Sequence, residues 1–227
     1  MTLDTSRVQA VLFDLDGTLA DTDDDYIRRA GELMRRLDFF FPQHDPTQFL
    51  RRSLMVSESP LNLLMGMPDR LGLDGPLAHL ADWAAEHGRL TTSARFVLMA
   101  EVDRLLAQLA GRYPLAVVTA RGARDTHAFL DQFNLAPHFR AVASAQTAPH
   151  TKPYPDPVLW AARELGVQVE NCLMVGDTTV DILAGKRAGA QTVGVLCGFG
   201  ERSELEQIGA NAIIEHTRHL GPILFTE

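Results

Sequence analysis

At 227 residues, with 46% apolar and 22% charged side chains, the chain has ordinary globular composition and the length for one large domain or a core carrying an insertion. A formal net charge of −8 argues against a nucleic-acid binder, which needs a basic patch, and no apolar stretch is long enough to span a bilayer. The excess acid opposes an anionic ligand unless the binding site is locally positive.

The N-terminus lacks the basic-then-apolar pattern of a secretory signal. The two cysteines, Cys172 and Cys197, have no metal-like spacing and lie in apolar, strand-like runs, as buried structural thiols do. These features predict a cytoplasmic protein. The predicted partner is a small molecule, neither nucleic acid nor membrane, and the predicted assembly is a monomer or homodimer.

In chain order, residues 8–13, apolar but for Gln9, predict a strand buried on both faces, as in a parallel sheet. Asp14, Leu15, Asp16, Gly17 and Thr18 follow it. In open α/β sheets, ligands bind at the carboxyl ends of the strands. Two acids there repel each other unless a cation lies between them. The economical reading is a divalent-metal site with one carboxylate acting as nucleophile. A calcium EF-hand fails on spacing, since counting from Asp14 puts Leu19 where the loop needs Gly.

Residues 21–92 change character. Helical patterns over 26–37, 47–55, 61–71 and 77–87 are separated by Pro42, Pro46, Pro60, Pro68, Gly72 and the Gly75-Pro76 pair, and no convincing strand interrupts them. This predicts an all-helical insertion. Asp21 and Asp23 to Asp25 fit a hinge followed by an acid-rich first helical turn. Phe39 to Phe41 fit a core position, and Arg51-Arg52 a solvated helix face.

From about residue 94 strands alternate with helices. Helices are predicted over 95–110, 123–133, 156–165 and 180–188 and from Glu201 onward, and strands over 115–119, 141–143, 172–175 and 192–196. Gly166 and Gly189 stop two of the helices. His216 and His219 share a helical spacing in a predicted C-terminal helix and form no ligand set. The alternation implies a parallel sheet with helices on its faces.

Three further segments carry chemistry. Thr119 and Ala120 end the 115–119 strand, where a hydroxyl and backbone N–H groups can donate to a phosphoryl oxygen. Lys152 is one of two lysines, Lys186 being the other, among 21 basic residues. Its compact ammonium suits a small site that holds a carboxylate and a phosphate, and Pro153 and Pro155 stiffen its loop. Gly176-Asp177 follows the 172–175 strand, and Asp181 lies one helical turn further on the same side.

The ordered set Asp14/Asp16, Thr119, Lys152 and Asp177/Asp181 resembles the haloacid dehalogenase-like (HAD) hydrolase superfamily, whose first motif is Asp-x-Asp-Gly-Thr and whose fourth is Gly-Asp-x-x-x-Asp. Ala120 departs from a frequent family pattern, standing where many members have Asn, which leaves a backbone contact but no side-chain one. The segment 193–200 resembles a loop of phosphoglycolate-phosphatase-like members. The resemblance implies an α/β fold: a Rossmann-like parallel sheet flanked by helices (residues 1–20 and 93–227) with an inserted all-helical cap domain (21–92) that sets substrate choice.

It further implies a Mg²⁺-dependent phosphatase acting on a small phosphorylated metabolite. Asp14 attacks phosphorus to form an aspartyl phosphate. Asp16 is general acid, then base. Asp14, Asp177 and the Asp16 carbonyl hold Mg²⁺, Thr119, Ala120 and Lys152 bind the phosphate, and Asp181 orients Asp177 or a metal-bound water. The acid at position 16 argues for phosphate esters and against carbon–halogen or carbon–phosphorus cleavage, which branches lacking that acid perform. The motifs leave two alternatives: a phosphomutase of the β-phosphoglucomutase type, and a non-catalytic regulatory protein that keeps the fold.

Overall fold

The computed structural model describes residues 2–21 and 96–225. The insertion predicted over 21–92, including the runs at 23–25 and 39–41 and Arg51-Arg52, lies outside the described residues apart from Asp21.

Six strands form one sheet: β1 (Ala10–Phe13), β2 (Leu115–Val118), β3 (Phe139–Ala143), β4 (Cys172–Gly176), β5 (Gln191–Val195) and β6 (Ala212–Ile214). Their order is β3-β2-β1-β4-β5-β6, and every neighbouring pair is parallel. The four central strands β1, β2, β4 and β5 are buried at every residue. β1, β2 and β4 read as apolar runs because both faces are covered, while β5 opens with the buried polar pair Gln191 and Thr192.

Among the described residues the α-helices are α1 (Val102–Ala110), α2 (Ala123–Gln132), α3 (Asp156–Leu165), α4 (Thr179–Ala188), α5 (Arg202–Ile208) and α6 (Leu220–Leu224). Side chains alternate across each strand, and this alternation sorts the core into two layers. Val11, Phe13, Val117 and Val175 pack with Leu106 and Leu109 of α1, Phe129 of α2 and Leu220 of α6. Leu12, Ala116, Val118 and Met174 pack with Val158 and Ala161 of α3 and Ala184 of α4. The result is helix–sheet–helix layering, as the strand–helix rhythm predicts.

Strand order reverses at β1, where the chain leaves β3 at one edge and returns as β4 on the other side of β1. In such sheets the crevice at the strand ends beside the reversal is the ligand site. Asp14, Thr119 and Asp177 each follow a strand at this end.

Three expectations are corrected. The helix predicted over 95–110 begins at Val102. Leu98 instead bridges Ala20 in antiparallel fashion, and the Asp21 N–H and Leu19 carbonyl pair with Val97 and Met99. Glu101 has left-handed backbone, with φ 62°, which α-helix does not continue through. Val97, expected on an apolar helix face, is therefore 48% exposed. Strand β6 went unpredicted, because three residues carry no periodicity to read. His216 precedes a 3₁₀ turn (Thr217–His219) that leads into α6, so the two histidines do not share an α-helix.

Cys172 is buried in β4, and burial, aided by Glu170, pushes its thiol up to about 11. At pH 8 only about a thousandth of it is thiolate, the reactive form. The folded protein should therefore leave Cys172 unlabelled by iodoacetamide at that pH, with labelling following urea unfolding. Peptide mapping of the two samples checks this.

Candidate active site

Asp14 follows β1, and its N–H extends the β1–β4 ladder by donating to the Val175 carbonyl at 2.9 Å. This fixes the backbone from which the carboxylate projects. Lys152, on the loop between β3 and α3, donates through Nζ to Asp14 Oδ1 at 2.5 Å and to Asp181 Oδ1 at 2.6 Å. All three side chains are buried, with Lys152 only 5% exposed. The loop is tied to α4 by Arg187, whose Nη1 donates to the Pro153 carbonyl at 2.9 Å.

Asp181 lies in the first turn of α4 and has both oxygens engaged. Oδ1 holds Lys152, and Oδ2 accepts the Thr178 backbone N–H at 3.0 Å and the Thr178 hydroxyl at 2.7 Å. The backbone contact is half of a capping box, which anchors the carboxylate to the helix start. The sequence reading gives Asp181 the task of orienting Asp177 or a metal-bound water. The hydrogen bonds described for it run to Lys152 and Thr178.

Asp177 is held in a close-fitting glycine cage. Its Oδ2 accepts the Phe199 N–H at 2.8 Å. Gly17 has φ +74°, a region side chains rarely adopt, and a Cβ there would lie 2.3 Å from Asp177 Oδ2. A Cβ at Gly198 would lie 2.2 Å from the same oxygen. The glycines after the first acid pair and in the 193–200 loop thus make room for one carboxylate.

Ligand oxygens of Asp14, Asp177 and Asp181 lie within 4.8 Å of one another. Among the described residues, the Lys152 ammonium pairs with two of these buried acids, Asp14 and Asp181. Burial pushes the Asp14 carboxyl well above its ordinary range, Asp181 and Asp16 push it further, and Lys152 opposes without cancelling them. Burial pushes Lys152 down, but the charges of Asp14 and Asp181 and the hydrogen bonds to them outweigh it, and the ammonium is held above its ordinary value. The local excess of carboxylate fits a hard divalent cation that takes oxygen ligands, such as Mg²⁺. Asp181 and Asp177 both have each oxygen hydrogen-bonded, Asp177 Oδ1 by the Thr18 hydroxyl at 3.5 Å.

Asp16 stands apart from this cluster. Both its oxygens are taken by Arg121: Nε donates to Oδ2 at 3.0 Å, and Nη2 donates to Oδ1. Thr119 is buried at the β2 tip, and its Oγ1 accepts the Arg121 N–H at 3.1 Å, so the hydroxyl proton remains available to a ligand. Ala120, beside it, is exposed. Sequence reasoning missed Arg121. Its signal was its place, two residues past Thr119 at a strand end already assigned to anion binding.

A family model described as haloacid dehalogenase-like hydrolase matches residues 11–195. The chain belongs to the haloacid dehalogenase-like hydrolases. It is 32% identical over 208 residues to a phosphoglycolate phosphatase of Neisseria meningitidis, covering 88% of this chain and 86% of the relative. A pyrophosphatase PpaX of Oceanobacillus iheyensis is 26% identical over 215 residues, covering 94% and 95% of the two chains. The solved structure of a HAD-superfamily hydrolase, subfamily IA, variant 1, from Geobacter sulfurreducens superposes with a TM-score of 0.65 at 21% identity, covering 99% of this chain and all of that one. This HAD hydrolase is thus of the phosphatase type, on the Rossmann-like fold its motifs imply. Among the described residues no helix is long and apolar enough to cross a membrane.

Proposed function

We propose that this HAD hydrolase is a Mg²⁺-dependent phosphatase of a small phosphorylated metabolite, acting through an aspartyl phosphate on Asp14. The observation that carries this reading is the buried ammonium of Lys152 bridging Asp14 and Asp181 at the strand-order reversal. It holds a carboxylate oxygen in place beneath the point where a phosphate would enter.

Asp14 attacks phosphorus through a carboxylate oxygen, and the ester P–O bond breaks. Asp16 gives its proton to the departing oxygen. It then takes a proton from the water that attacks the aspartyl phosphate, which frees inorganic phosphate and restores Asp14. Lys152, the Thr119 hydroxyl and the Ala120 backbone hold the non-reacting phosphoryl oxygens. Asp181 acts through Lys152. Asp14, Asp177 and the Asp16 carbonyl would hold Mg²⁺, which supplies charge neutralisation to the phosphoryl group. We assign residues 1–20 and 93–227 to the catalytic core and 21–92 to a helical cap that selects the substrate and excludes water.

Hydrolysis of p-nitrophenyl phosphate tests the reading. Turnover should require Mg²⁺, fall by at least about 100-fold with EDTA, and return when Mg²⁺ is restored. Folded protein supplied with Mg²⁺ that stays silent on this ester and on a panel of phosphometabolites, sugar phosphates with a bisphosphate activator included, would contradict it.

A further inference from the structure

Arg121 grips the proposed acid–base residue with a two-pronged guanidinium fork that occupies both Asp16 oxygens. A leaving oxygen that is to meet Asp16 must share a carboxylate oxygen with a prong or displace it. The pair lies at the open part of the site, with side-chain exposures of 19% for Arg121 and 32% for Asp16, against 5% for Lys152. The guanidinium has a second contact besides Asp16: its Cζ lies 5.3 Å from the centroid of the Phe96 ring, a cation–π distance, and its backbone is tied to Thr119. A planar guanidinium matches carboxylate and phosphate oxygens two at a time.

We propose that Arg121 determines specificity by reading a second anionic group, carboxylate or phosphate, on the leaving-group side of the substrate. In exchanging Asp16 for that anion it uncovers an Asp16 oxygen for the leaving group. The substrate class is then a phosphate monoester or anhydride whose leaving group is itself anionic. This rests on the phosphatase reading above. It names Arg121 as a binding residue that acts on the chemistry through Asp16.

The test compares kcat/KM for matched substrates, with p-nitrophenyl phosphate as the reference for phosphatase activity. One arm uses the phosphate ester of a 2-hydroxy acid against its neutral amide, and the other a diol bisphosphate against the monophosphate. The wild type should prefer the anionic member of at least one pair by roughly 10- to 100-fold, the range of a charge-assisted hydrogen-bonded contact. The preferred arm identifies the second anion as carboxylate or phosphate. In Arg121→Met the preference should collapse towards one, and Arg121→Lys should retain part of it. A wild type active on p-nitrophenyl phosphate that treats both members of each pair alike overturns the proposal and leaves the phosphatase reading standing, as does an undiminished preference in a folded Arg121→Met. A folded wild type supplied with Mg²⁺ that is silent on these esters and on the phosphometabolite panel above overturns both.

Discussion

Asp14→Asn should lower kcat/KM by roughly 10⁴- to 10⁶-fold, the scale of losing a nucleophile, while the protein stays folded. The amide keeps the shape of the side chain and an oxygen that can accept from Lys152 Nζ. It cannot form the acyl phosphate. Because burial and Asp181 raise the Asp14 carboxyl in the folded protein, the folded state retains that proton at pH values where the unfolded chain has released it. Stability from this group is present below the ordinary carboxylate value and is lost as pH rises through the raised one. The metal-free wild type should therefore lose stability over that window relative to Asp14→Asn. Urea unfolding in EDTA across pH 4 to 8, beside the activity assay, reads both effects. A variant that is inactive because it has unfolded would be exposed at once.

Lys152→Met should be costly to both stability and activity. The ammonium is the described partner of two buried carboxylates, and removing one member of a buried ion pair typically costs about 3–5 kcal/mol. For a chain of this size that corresponds to a fall in melting temperature on the order of 10 °C. The variant retains Asp14 and Asp181 without that counter-charge, so added Mg²⁺ should recover more of its melting temperature than it adds to the wild type. Activity should stay about 100- to 1,000-fold down even in Mg²⁺, because the donor proposed to hold the transferring phosphoryl group is gone. Thermal melts with and without Mg²⁺ separate the two losses. An unchanged melting temperature in EDTA would mean that the Lys152 bridge does not hold the site together.

Most of the core was legible because its elements announce themselves locally. Residues 10–13 and 172–175 are apolar throughout, as fully buried parallel strands are; the first hands over directly to Asp14 and the second to Asp177 after one glycine. The 156–165 helix agreed at both ends, Asp156 and Leu165. Lys152 stood out by the rarity of lysine in the chain.

What stayed hidden depends on tertiary neighbours. The Arg121–Asp16 fork joins residues 105 positions apart, brought together because β1 and β2 lie side by side, and nothing in either segment alone encodes that pairing. The stretch 96–101 carries helix-like spacing, yet its pairing with residues 19–21 prevails. Asp181 was placed on the correct side of its helix, but its partner Lys152 comes from another loop, so its contact with Lys152 was not readable from helical spacing.

The most direct test of the central claim captures the covalent intermediate. Asp16→Asn removes the base for the second half of the reaction, while p-nitrophenolate leaves without needing a proton. This variant, mixed with p-nitrophenyl phosphate and Mg²⁺, should release one burst of p-nitrophenolate equal to the enzyme present and accumulate phosphorylated protein. Acid quench, borohydride reduction and peptide mapping should then find the reduced residue at Asp14. A stoichiometric burst with phosphorus on another residue, or steady turnover with no phosphorus on the protein at any time, would contradict the account.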